Sequence, residues 1–133
     1  MDEEQMINRT TPRLLWFKYN LNLKRKYSLL RDGDIINVGG ITIKAIATPG
    51  HTPGSMSYLI NDKYLFVGDS MNLKNRRIYP SFRFLNMDTK RQIESIKKLA
   101  QIENISILFT AHTGYTYNFA YTMEFWRIHN YEK

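Results

Sequence analysis

Apolar positions along this chain fall into short runs, and a turn closes each of them. Ile35-Ile-Asn-Val38 and Ile41-Thr-Ile-Lys-Ala-Ile-Ala-Thr48 flank Gly39-Gly40, which predicts a hairpin of 35–38 with 41–48. In its second strand Ile41, Ile43, Ala45 and Ala47 share one face and Thr42, Lys44 and Ile46 the other, so at least one side is buried. Upstream, Leu29-Leu-Arg-Asp-Gly-Asp34 reads as a turn, because Asp32-Gly33 can take positive φ. Ser55–Ile60, the turn Asn61-Asp62 and Lys63–Val67 make the next hairpin by the same reasoning.

Residues 71–87 mix basic and aromatic side chains with Pro80 and show no period, so they are expected to form a loop on the active-site side. The period then lengthens. Asp88 is a good N-cap, and Ile93, Ile96, Leu99, Ala100 and Ile102 make an apolar stripe opposite Lys90, Arg91, Glu94, Lys97 and Lys98, predicting a helix to about Glu103. Ile105–Phe109 is a continuous apolar run of strand length and reads as a buried strand. Phe119–Trp126 predicts a short helix with Phe119, Met123 and Trp126 on one face. Residues 1–12 are polar and expected to be loose. The Leu14-Leu-Trp-Phe17 cluster with Tyr19, Leu21 and Leu23 predicts a short helix passing into an extended segment that packs against another layer or another chain.

Three of the strands end on a potential metal ligand. Ile41–Thr48 runs into Pro49-Gly-His51-Thr-Pro-Gly54, Tyr64–Val67 into Gly68-Asp69-Ser70, and Ile105–Phe109 into Thr110-Ala-His112-Thr-Gly114. A strand fixes where such a side chain points, while the loop leaves it exposed. Neutral imidazole and carboxylate together suit zinc, iron or manganese. The prolines and glycines around His51 make its turn tight and stiff. Taken singly, His51 reads as a turn histidine bonded to a carbonyl and Asp69 as a cap or turn residue.

Composition narrows the setting. A chain of 133 residues suits a single domain with a modest core. It has no cysteine, which excludes disulfides and thiolate metal sites. The formal charge of +7 is scattered, with short clusters at Lys24-Arg-Lys26 and Arg76-Arg77, and reads as a solvated surface. No apolar run approaches the roughly 20 residues of a membrane helix. Met1-Asp-Glu-Glu-Gln5 has neither part of a signal peptide, so a cytoplasmic, soluble chain with no membrane partner is expected.

Thr48-Pro-Gly-His-Thr-Pro-Gly-Ser55, Gly68-Asp69-Ser70 and Ala111-His112-Thr-Gly114 resemble, in order and spacing, the last three metal-binding motifs of the metallo-β-lactamase superfamily. The resemblance covers residues 30–114. It implies an α/β, layered (α+β) fold, half of the family's αββα sandwich, with 1–133 as one domain corresponding to its C-terminal part. It also implies that His51 serves a first metal, Asp69 bridges two, and His112 serves the second, with zinc the expected ion and iron or manganese the alternatives.

The family's opening His-x-His-x-Asp-His motif is not in this sequence. The third histidine, His129, has no second ligand at useful spacing and reads as a surface or interface residue. The reaction implied is metal-dependent hydrolysis of an ester, thioester, amide or phosphodiester. From this chain by itself, weak metal affinity, an unfilled site and little turnover are expected. Half a sandwich leaves the inner face of its sheet bare, so a homodimer or a separate N-terminal half is the expected partner. The alternatives are a non-catalytic dimeric remnant of that fold and a nucleic-acid-processing or binding member. The second is suggested by the charge and by Arg76-Arg77, although nucleic acid is not the expected partner.

Overall fold

The computed structural model describes residues 27–128. The Leu14–Leu23 cluster and His129 lie outside them. Six strands form one sheet in the order β1-β2-β3-β4-β7-β8: β1 Ile35–Val38, β2 Ile41–Ala47, β3 Met56–Ile60, β4 Tyr64–Phe66, β7 Ile107–Phe109 and β8 Tyr115–Thr116. Every neighbouring pair is antiparallel except β4 and β7, which run parallel with Phe66 opposite Phe109. Parallel neighbours need a long connection. Here it holds a small hairpin, β5 Asn72–Lys74 with β6 Arg77–Tyr79, and helix α1, Thr89–Ala100. Helix α2, Phe119–Ile128, closes the described chain.

Both expected hairpins form, and Asn61 and Asp62 take φ of 49° and 53° in the second. Asp88 caps α1 by accepting from Arg91 N at 3.0 Å. The helix ends at Ala100 rather than near Glu103, because Gln101 and Ile102 bond back three residues and Asn104 turns to φ 61°. The stretch 71–87 is not all loop. Its strands of three residues are too short to show a period, and their turn, Asn75-Arg76 at φ 50° and 61°, has no glycine to announce it.

One face of the sheet is packed. Ile46, Leu59, Leu65 and Leu108 meet Ile96, Leu99 and Ala100 of α1 and Phe119, Met123 and Trp126 of α2 in one buried cluster. Burying each such side chain contributes roughly 1.5–3 kcal/mol. Trp126 Nε1 donates to Ile78 O at 3.0 Å, which pins the small hairpin onto α2. The opposite face is aromatic and, among the described residues, partly exposed. Tyr58, Phe66, Phe109 and Tyr115 stand side by side across four strands, with Phe66 and Phe109 stacked at 4.5 Å between centroids. Phe66 is 38% and Tyr115 56% exposed, a patch of the kind that marks an interface. No helix among the described residues is long and apolar enough to cross a membrane.

The end of β2 is tied to α1 by Asp32. Its Oδ1 accepts from Ala47 N at 2.8 Å and from Lys98 Nζ at 2.9 Å. The Lys98 ammonium first, and then the Ala47 N–H, hold this carboxyl below its ordinary value against a smaller opposing effect of burial. A depressed carboxyl stabilises the fold above its unfolded pKa, and that stability is lost as pH falls through the folded value. Asp32→Asn is therefore expected to be less stable than the parent at pH 6, and the two should converge as pH falls below 3.8. Both side chains are about half exposed, so the gap is under about 1 kcal/mol, and urea midpoints across pH would measure it. A gap that does not shrink as pH falls below 3.8 would exclude this linkage.

Candidate metal site

The strand directions gather the three motif turns at one edge of the sheet. β4 and β7 are parallel, and β2 runs in the same direction as β4 because β3 between them is antiparallel to each. Asp69 lies three residues beyond Phe66, and His112 three beyond the register partner Phe109. Backbone bonds continue the pairing past the strands, with Val67 N donating to Phe109 O and Ala111 N to Gly68 O, both at 3.0 Å. Gly68, at φ 54°, makes the bend that starts the single 3-10 turn Gly68–Ser70.

The result is a contact. His112 Nε2 lies 3.1 Å from Asp69 Oδ1, with both side chains open to solvent. Two ligands on one tetrahedral ion, each at about 2.0–2.1 Å, stand roughly 3.3 Å apart, so the pair is spaced as co-ligands would be. The turn that carries His112 is braced by threonines. Thr113 N donates to Thr110 Oγ1 at 3.1 Å, and Thr113 Oγ1 accepts from Leu73 N at 2.7 Å.

His51 is half-buried, and its ring meets a side-chain amide rather than a backbone carbonyl. Nδ1 lies 3.2 Å from Asn86 Oδ1. Its turn is clasped by the start of α1: Met87 N donates to His51 O at 3.1 Å, Asp88 N to Gly50 O at 2.9 Å, and Ser95 Oγ to Pro49 O at 2.8 Å. Beneath the two turns runs a buried row of hydroxyls. Ser70 Oγ donates to Thr48 Oγ1 at 2.9 Å, and Thr48 Oγ1 pairs with Ser57 Oγ at 3.0 Å.

Among the described residues, no group of three or more His, Cys, Asp or Glu side chains lies close enough to hold one ion. Asp69 and His112 are brought together, and His51 stands apart from them. In kind and spacing the pair fits a divalent metal. In number it does not make a complete site, since zinc takes about four ligands and a catalytic zinc usually three from protein.

Asn86, Gln92 and Ser95, which hold the His51 turn, carried no chemical signal in the sequence. A positional one was present for two of them. Gln92, Ser95, Ile96 and Leu99 share the i, i+3, i+4, i+7 spacing of an inward face, and all four are buried.

The chain is similar in sequence and fold to known proteins. Over 99 residues the chain is 34% identical to a hydroxyacylglutathione hydrolase from Erwinia tasmaniensis, covering 74% of this chain and 37% of that protein. A solved structure described as an archaeal metallo-β-lactamase superfamily protein, from Sulfolobus tokodaii, superposes with a TM-score of 0.52 at 26% identity, over 71% of this chain and 36% of that one. Over the matched stretch the chain belongs to the metallo-β-lactamase superfamily. A shorter segment of 47 residues is 47% identical to a probable polyketide biosynthesis zinc-dependent hydrolase from Bacillus velezensis, 35% of this chain and 20% of that protein. No protein-family model matches the chain.

The superfamily assignment agrees with the layered α/β fold, and zinc is a cofactor within the family. The chain spans little more than a third of the length of its hydroxyacylglutathione hydrolase relative.

Proposed function

We propose that this chain supplies part of the metal centre of a superfamily hydrolase, with Asp69 and His112 as adjoining ligands and His51 as a ligand beside them. The observation that carries the proposal is the 3.1 Å approach of His112 Nε2 to Asp69 Oδ1 at the shared edge of β4 and β7. A bound zinc would supply a Lewis acid and a water whose pKa is lowered toward neutrality, the chemistry of ester, thioester, amide or phosphodiester hydrolysis. The relative from Erwinia tasmaniensis favours the thioester among these.

The protein's own share is positional. β4 and β7 hold Asp69 and His112 in register, and α1 holds the His51 turn against the same edge. The remaining ligands would come from a second copy of the chain or from a separate polypeptide with the opening motif. Either could cover the aromatic face of Phe66, Phe109 and Tyr115.

Zinc titrated into the purified chain is expected to bind weakly. Asp69→Asn and His112→Ala should each bind it at least about tenfold more weakly, since even partners of ligands typically account for 10- to 100-fold. The mass in solution of the same sample is expected to be twice that of the chain. Equal zinc affinity in the parent and both variants would sink the proposed site, and a monomer would leave the separate polypeptide as the source of the missing ligands.

A further inference from the structure

We propose that Asn86 and Gln92 are positioning residues that hold His51 as its Nδ1–H tautomer, leaving Nε2 as the unprotonated nitrogen. A chain of side-chain hydrogen bonds starts at the Asp69 backbone and ends on the imidazole. Gln92 Nε2 donates to Asp69 O at 3.4 Å, Asn86 Nδ2 donates to Gln92 Oε1 at 2.5 Å and to Ser81 O at 3.0 Å, and Asn86 Oδ1 faces His51 Nδ1 at 3.2 Å.

The direction of this chain follows from its fixed ends. A backbone carbonyl can only accept, so the groups facing Ser81 O and Asp69 O must be the amide nitrogens. That places Asn86 Oδ1 toward His51 and Gln92 Oε1 toward Asn86. An amide oxygen has no proton to give, so the hydrogen on the His51 side belongs to Nδ1. Ser81 Oγ adds a bond to the same Asp69 carbonyl at 2.7 Å, which fixes the far end more firmly.

Burial makes the arrangement hard to reverse. Gln92 is fully buried, and no buried side-chain nitrogen or oxygen among the described residues lacks a partner. Turning either amide over would set its oxygen against a backbone carbonyl, Ser81 O for Asn86 and Asp69 O for Gln92. A histidine that ligates a metal through one nitrogen commonly gives the other N–H to such an acceptor, which sets its tautomer. The same chain runs from the carbonyl of Asp69 to the ring of His51, so it also fixes the spacing between the two motif turns.

The importance of the tautomer rests on the reading of His51 as a ligand. The tautomer itself is tested without any metal, so the two can fail separately. Long-range proton–nitrogen correlation spectra of the metal-free chain, taken where the imidazole is neutral and assigned with His51→Gln, are expected to show the Nδ1–H form as the major one. In Asn86→Leu the majority should pass to Nε2–H, the form favoured by free imidazole.

A parent protein in the Nε2–H form overturns the proposal outright, whether or not the variants fold. So does a folded Asn86→Leu with an unchanged tautomer. In zinc titrations the same Asn86→Leu is expected to lose about 10- to 100-fold in affinity. Equal affinity in the parent and Asn86→Leu would remove the positioning role.

Discussion

Gly50→Ala is expected to destabilise the protein by about 2–5 kcal/mol, summing a strained backbone and an overpacked contact. Gly50 stands at φ +142°, a conformation that side-chain-bearing residues rarely adopt. A Cβ there would also run into the backbone of Gln92, at the start of α1, inside contact distance. Relief is difficult. The same stretch of helix is bonded to Gly50 O through Asp88 N and to Pro49 O through Ser95 Oγ, so moving away breaks two hydrogen bonds.

Gly39→Ala serves as the comparison, since Gly39 has φ +55° and nothing near its missing Cβ, and it should cost only about 1–2 kcal/mol. Chemical denaturation of both variants measures the difference. If Gly50→Ala cost no more than Gly39→Ala, α1 would not be pressed on the His51 turn, and the clasp described above would be wrong.

Thr48→Val is the second large effect, expected at about 2–4 kcal/mol with almost no change of shape. Thr48 Oγ1 is the middle of the buried row from Ser57 to Ser70, and all three residues are essentially inaccessible. Valine fills the same space but leaves two buried serine hydroxyls without a partner, each costing about 1–3 kcal/mol. Thr48→Ser keeps the hydroxyl and loses a methyl group, about 1 kcal/mol.

Adding Ser70→Ala to Thr48→Val should recover part of the loss, because one of the stranded hydroxyls is removed with it. Thermal or urea unfolding of the parent, Thr48→Val, Ser70→Ala and the double variant gives the coupling, with Thr48→Ser beside them. A valine variant as stable as the serine variant would show that the hydroxyl row contributes little. The row also bears on the site: Thr48 precedes His51 by three residues and Ser70 follows Asp69 directly, so the hydrogen bond between them ties the roots of the two turns together.

Local chemistry made several elements readable. Gly39-Gly40 and Asn61-Asp62 announced hairpins because their turns need positive φ, which these residues supply cheaply. Asp88 announced α1 because its carboxylate caps a free N–H of the first turn. The β5–β6 hairpin escaped notice because Asn75-Arg76 makes a similar turn without glycine, and strands of three residues carry no period. Strand β8, two residues long, was equally silent.

The three candidate ligands were legible as residues, since each follows an apolar run and sits in a stiff or bent turn. Their arrangement was not. Only the parallel pairing of β4 with β7, across a connection that contains β5, β6 and α1, sets Asp69 beside His112, and a sequence pattern does not state which strands will be neighbours. Likewise Asn86 looks like an ordinary surface polar and Gln92 shows only its inward position until α1 docks, when burial of the Gln92 amide calls for its hydrogen bonds to be made. The sequence by itself determined the turns, the helix caps and the kinds of donor available, because those depend on neighbours a few residues apart. The tertiary structure decided which donors meet and which ring nitrogen holds the proton, because those depend on groups 35 to 43 positions apart being held within 3.2 Å of each other.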